Sequence, residues 1–175
     1  MMLRTLAFAL VMAATPALAA DAVAPVKAVM DLTLANWASE TGDGGGDYFD
    51  DTHIKVFSKS FRTLYGKVEK HMAEVGDADS AGVFDYDPIQ GGQDGCPITD
   101  LKIGQPTAGK GGVTEVAVTF KPYSCFDGET KDSVAHLTFK VVDEGGKAVI
   151  DDVVRKEFFG SAPSLVQELQ DALAN

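Results

Sequence analysis

The chain has 175 residues, 45% of them hydrophobic, and a formal net charge of −11 at pH 7. So acidic a protein repels phosphate backbones and anionic lipid headgroups, which argues against nucleic-acid or membrane-surface binding. The length suits one domain with a buried core.

The first twenty residues read as a secretory signal peptide. Arg4 is their only charge, Leu6 to Ala14 is an unbroken apolar run, and Ala17-Leu18-Ala19 supplies the small-residue cleavage site, with cleavage expected after Ala19 or Ala20. The run is too short to span a bilayer, and no Cys follows the cleavage site to accept a lipid. Losing Arg4 takes the formal charge from −11 to −12, and residues 21–175 remain as the expected mature domain. The expectation is an exported protein, periplasmic rather than extracellular, with no membrane insertion in its mature form.

From Ala24 to Ser39 the positions Val26, Met30, Leu34 and Trp37 follow one face of a helix, with Pro25 in its first turn. Glu40 to Asp47, with four glycines, reads as a mobile surface loop. Ile54, Phe57, Phe61, Leu64, Val68, Met72 and Val75 then recur at steps of three and four. This predicts one long helix from Asp50 to Gly76, capped by Asp51 or Thr52. Gly66 in its middle costs about 1 kcal/mol relative to Ala, which suggests close packing or a bend.

Strand patterns follow. "PITDLKIG" is a short strand, and "GVTEVAVTFKPY" alternates Thr114, Val116, Val118 and Phe120 against polar neighbours. "DSVAHLTFKVVDEGGKAVIDDVVRKEF" reads as a hairpin turning at Glu144 to Lys147. Ala135, Leu137, Phe139 and Val141 lie on the core face of one arm, with Ile150 and Val153 on the other. A closing helix carries Leu165, Leu169 and Leu173, capped by Ser161 or Ser164. The order of helices, about four antiparallel strands and a last helix predicts an α+β fold, with helices on one face of the sheet.

Cys96 and Cys125 lie symmetrically about "TAGKGG", so a hairpin centred near Lys110 and Gly111 sets them opposite one another. A structural disulfide is the expectation, since export favours pairing and no C-x-x-C spacing is present.

The stretch "FDYDPIQGGQDGC", Phe84 to Cys96, concentrates acids around Pro88 and Gly91-Gly92. Counted as a calcium loop from Asp85 it retains Asp87 and then fails at Ile89 and Gln90. Asp85 and Asp87 share a face of an extended chain and could form a hydrolytic pair. Asp before Pro in a glycine-rich segment is an ordinary turn signal, and it predicts that Asp85 or Asp87 accepts backbone hydrogen bonds within the segment. His53, His71 and His136 have no zinc-site spacing, and no serine elbow or phosphate-cradling loop is present. No metal or cofactor is expected. Tyr48, Tyr65, Tyr86 and Tyr123 could present polar ends to a pocket between helices and sheet.

Three phrases carry a family resemblance: Asp85, Asp87, Pro88, Gln93 and Asp94 in the loop; Ile150, Asp152 and Val153 in the last strand; Ser164, Leu165 and Leu169 in the last helix. Together they resemble the exported bacterial family called domain of unknown function 3828. The chain departs from it at Ala148, where such strands often carry Trp. The resemblance implies a cystatin-like or nuclear-transport-factor-2-like cone, with a pocket at the wide end of a curved sheet and no established activity.

The function expected from these readings is binding of an unknown small molecule or exported protein. The candidate ligand-binding residues are Tyr48, Asp85, Tyr86, Asp87, Gln93 and Asp94. An acidic inhibitor or immunity-type protein for a basic exported enzyme is the alternative. A hydrolase using Asp85 and Asp87 is the third.

Overall fold

A computed structural model describes residues 21–39, 45–75, 83–156 and 164–174. Residues 1–20, where a signal peptide is expected, residues 40–44 of the glycine-rich loop, the expected Gly76 helix stop and the candidate Ser161 cap lie outside the described residues. The elements run α1 (Val23–Asn36), a 3-10 turn (Ile54–Val56), α2 (Lys59–Val75), β1 (Thr99–Ile103), β2 (Thr107–Ala108), β3 (Thr114–Lys121), β4 (Ala135–Glu144), β5 (Lys147–Lys156) and α3 (Leu165–Ala172). The sheet is antiparallel in the order β1-β3-β4-β5, with the two-residue β2 also paired to β3. The class is α+β, as the order of sequence patterns predicts.

Alternation decides which face of the sheet is buried. Val116 pairs with Phe139 and Val118 with Leu137, and all four are buried, whereas Ala117 between the two valines and His136 before Leu137 are exposed. The β4–β5 hairpin turns through Gly145 and Gly146, at φ 66° and 88°. Both values are positive, as a type I′ turn requires and glycine permits.

Ile150 and Val153 both face the core although three residues apart, an odd step that an unbroken strand would send to opposite faces. A bulge reconciles them. Val141 pairs with Ile150, Lys140 with Asp152 and Phe139 with Val153, which leaves Asp151 as the extra residue.

The expected helix from Asp50 to Gly76 is broken. Phe57 is extended, at φ −92° and ψ 155°, and bridges to Ile150, while the Ser58 N–H donates to the Ile150 carbonyl at 2.7 Å. The spacing of apolar residues continues through the break because both pieces face one core. Phe57 gains full burial by docking on β5, and that tertiary pairing outweighs helical continuity. The caps shift accordingly: Asp50 accepts from the Thr52 and His53 N–H groups, and Ser58 Oγ accepts from Phe61 N–H at the start of α2.

Other helix expectations change in detail. In α1 the buried side is Val26, Val29, Met30 and Thr33, with Leu34 half-buried at its margin. In α3, Ser164 Oγ accepts from Gln167 N–H and Leu165 and Leu169 are fully buried, but Leu173 follows the last helical residue and is exposed.

Gly66 neither packs closely nor marks a bend. It is exposed within α2, and a Cβ added there meets nothing within 4 Å. Gly66→Ala is expected to stabilise the protein by about 0.5 to 1 kcal/mol, because Ala loses less backbone freedom in a helix. Urea unfolding measures this, and an unchanged or lower midpoint would contradict it.

Cys96 and Cys125 are joined by a disulfide with Cα atoms 5.6 Å apart. The register beside them carries Ile103 opposite Val118, in step with Cys96 opposite Cys125, and shifts by one residue at Thr107 opposite Glu115. The pairing is interrupted at Asp100, whose φ of 56° accommodates a bulge. In the chain-entropy account a loop of this size contributes about 3 to 4 kcal/mol. The bond pins the end of the acidic loop to the sheet.

Candidate functional site

Asp87 organises the loop between α2 and β1. Its Oδ1 accepts from the Ile89 and Gln90 N–H groups, both at 2.8 Å, as an Asp before a proline turn does. Its carbonyl accepts from Gly91 N–H at 2.8 Å and its N–H donates to Gly92 O at 3.0 Å. Gly91 closes the turn at φ 94°, where a side chain would be strained.

The second carboxylate oxygen reaches out of the loop. Asp87 Oδ2 accepts from Trp37 Nε1 at 2.7 Å and from the Tyr48 hydroxyl at 2.8 Å. One side chain thus ties the end of α1, the segment before the 3-10 turn and the acidic loop together. Tyr48 lies 3.1 Å from Thr33 Oγ1, whose own hydroxyl donates to Val29 O within α1. The Trp37 ring packs so closely on the loop that a Cβ at Gly95 would fall 2.7 Å from it.

A second knot lies on the sheet side. Arg155 of β5 donates to Glu168 of α3, to the Tyr86 hydroxyl at 2.9 Å and to Pro88 O at 3.1 Å, and its guanidinium sits 5.1 Å from the Tyr86 ring centre. The Tyr86 hydroxyl in turn donates to Glu168. Asp152, on β5, accepts from Lys140 Nζ at 2.9 Å and from Val166 N–H at 3.2 Å, which fixes the start of α3.

Between these knots opens a cleft of about 640 Å³. Its lining includes the rings of Trp37, Tyr48, Phe49, Tyr65, Phe84 and Tyr86. The polar groups among them come from Asn36, Asp47, Asp85, Asp87 and Gln93, and no lysine, arginine or histidine is among the described lining residues. A second cleft of about 470 Å³ adjoins it and shares Asp85, Tyr86, Gly92 and Gln93. Asp94, Tyr123, Phe126 and Thr130 contribute to its other wall. The Tyr123 and Phe126 rings are stacked there at 5.4 Å, and Phe126 is exposed.

Five of the six sequence-derived ligand candidates, Tyr48, Asp85, Tyr86, Asp87 and Gln93, therefore border the larger cleft, and Asp94 borders only the smaller one. They do different work. Asp87, with each oxygen engaged twice, is the structural centre, while the Asp85 carboxylate is exposed and makes no hydrogen bond or ion pair among the described residues. Gln93 Nε2 donates to the Asp85 carbonyl at 2.8 Å and holds the rim.

Sequence reasoning treated Trp37 as core alone and did not single out Asp47, Phe84 or Phe126 for the site. Asp47 and Phe84 flank Tyr48 and Asp85 in the chain, and that adjacency was the available signal.

All four tyrosines near the clefts are held in the phenol form. Burial first, then the charge of Asp87, pushes the Tyr48 hydroxyl far above the usual phenol range. Burial pushes Tyr65 up to about 12, with Asp47 adding to it, and Tyr86 up to about 12, with its bond to Glu168 adding to it. Burial also raises Tyr123. The Tyr48 and Tyr86 hydroxyls donate to Asp87 and Glu168. Among the described residues no group of three or more His, Cys, Asp or Glu side chains is placed to hold a metal ion. No described helix is long and apolar enough to cross a membrane.

No family model matches the chain, and neither does any curated protein or solved structure.

Proposed function

We propose that the protein is an exported binding module that holds a small ligand in the cleft between Trp37 and Tyr86. The observation that carries this reading is the cleft itself, which combines six aromatic rings with a few convergent polar groups. That composition is characteristic of ligand sites, and the volume lies within their usual range. The disulfide and the amino-terminal apolar run support export, with the periplasm as the compartment proposed. The resemblance to the exported family of cone-shaped proteins belongs to the same proposal, as a pocket at the wide end of a curved sheet.

The hydrolase alternative loses its acid pair. Both oxygens of Asp87 are committed to hydrogen bonds that shape the loop, which leaves Asp85 without Asp87 as its partner acid.

Trp37 is the only tryptophan in the chain and lines the cleft, so its fluorescence reports directly on occupancy. A library of small metabolites and cell-wall fragments titrated against the protein is expected to yield ligands that shift Trp37 emission and raise the melting temperature. Gln93→Phe, which narrows the rim, is expected to weaken them. A library with no such ligand would defeat the proposal.

A further inference from the structure

The two adjoining clefts have one electrostatic character. Asp47, Asp85 and Asp87 border the larger, Asp85 and Asp94 the smaller, and neither has a lysine or arginine among its described lining residues. Arg155, which donates to the Tyr86 hydroxyl and sits 5.1 Å from its ring centre, is also committed to Glu168 and to Pro88 O beneath the loop. An anionic ligand would therefore meet carboxylates with no compensating donor charge.

The carboxylates of Asp85, at the junction, and Asp94, in the outer cleft, are exposed and make no hydrogen bond or ion pair among the described residues. A ligand can approach them without breaking an internal contact. Between and beside them stand apolar surfaces: Phe84 and Tyr86 on one side, the stacked Tyr123 and Phe126 on the other. Ring faces attract cations and cover methylene groups, and carboxylates accept charge-assisted hydrogen bonds from ammonium groups.

We infer that the two clefts form one site for a linear polyamine, whose ammonium groups meet Asp85 and Asp94 and whose methylene runs lie on the flanking rings. This rests on the binding reading above and names the ligand class for that site. The ligand combines charge with hydrocarbon, as the lining combines open carboxylates with rings. A compact single cation would use only one of the two clefts.

The test is calorimetric titration of the disulfide-intact mature protein with spermidine, with 1,8-octanediol as a chain lacking the charges and with an uncharged N-acetylglucosamine oligomer. Spermidine is expected to bind, octanediol to bind at least tenfold more weakly, and Asp85→Asn to weaken spermidine by about tenfold, the scale of one charge-assisted hydrogen bond. Asp100→Asn removes the same charge from an exposed residue that lines neither cleft and is expected to leave spermidine affinity within about twofold, since an exposed charge outside the site is screened. Equal losses in the two variants would reduce the effect to general acidity and overturn the inference. Binding of the sugar oligomer with none of spermidine would also overturn it while leaving the binding module standing. Failure of every probe here, together with failure of the fluorescence library, would remove both.

Discussion

Asp87→Ala is expected to destabilise the protein by about 3 to 5 kcal/mol, because four donors lose their acceptor at once and an unmet buried donor costs about 1 to 3 kcal/mol. Two of these donors are backbone groups of Ile89 and Gln90, themselves buried at the base of the loop. The others are Trp37 Nε1 and the Tyr48 hydroxyl, on side chains only 5% and 4% exposed. Asp87→Asn is expected to cost less, since its amide oxygen can still serve the backbone pair while its NH₂ faces the two side-chain donors. Urea unfolding gives the loss, and Trp37 emission moves to longer wavelength as the ring loosens. A loss for the alanine variant below about 1 kcal/mol, with unchanged emission, would show that water replaces the carboxylate and that the knot is not structural.

Glu168→Ala is expected to cost a similar amount, about 3 to 5 kcal/mol, by leaving the Arg155 guanidinium buried without its counter-charge. The Arg155 and Glu168 side chains are 10% and 19% exposed, so solvent screens the pair little. The Tyr86 hydroxyl loses its acceptor in the same step. Removing both charges in Arg155→Met/Glu168→Leu is expected to restore part of the loss, because the main penalty of the single variant is an uncompensated buried charge. A double variant as unstable as the sum of the two single variants would refute that account.

These two knots show where sequence reading reaches and where it stops. The faces of β3 and β4 were legible because period-two alternation needs only neighbours in the chain. The Cys96–Cys125 bond was legible because hairpin register follows from the position of a turn, and the Asp87 loop because Asp-Pro chemistry acts over two or three residues.

The break at Phe57 was not legible, since it depends on a pairing with Ile150 far along the chain. Arg155 and Glu168 likewise carry no local pattern that marks them as partners. Only the approach of β5, α3 and the loop makes them partners. For the same reason Trp37 was recognised as a core residue but not as a donor to Asp87, 50 positions away.

The extra residue in β5 bears on how this strand can change in length. Elsewhere in a paired strand, deleting one residue exchanges the two faces and brings polar side chains into the core. At Asp151 the arithmetic differs, because the neighbouring pairs already align as though it were absent: Val141 with Ile150, then Lys140 with Asp152. Excising it would turn an irregular ladder into a regular one with Ile150 and Val153 still inward. What would disappear is the Asp151 carboxylate that accepts from Ser58 Oγ at 2.7 Å, and with it the local bend where α2 begins. In an alignment of related chains, position 151 is therefore the place in this strand where a gap is compatible with the same fold.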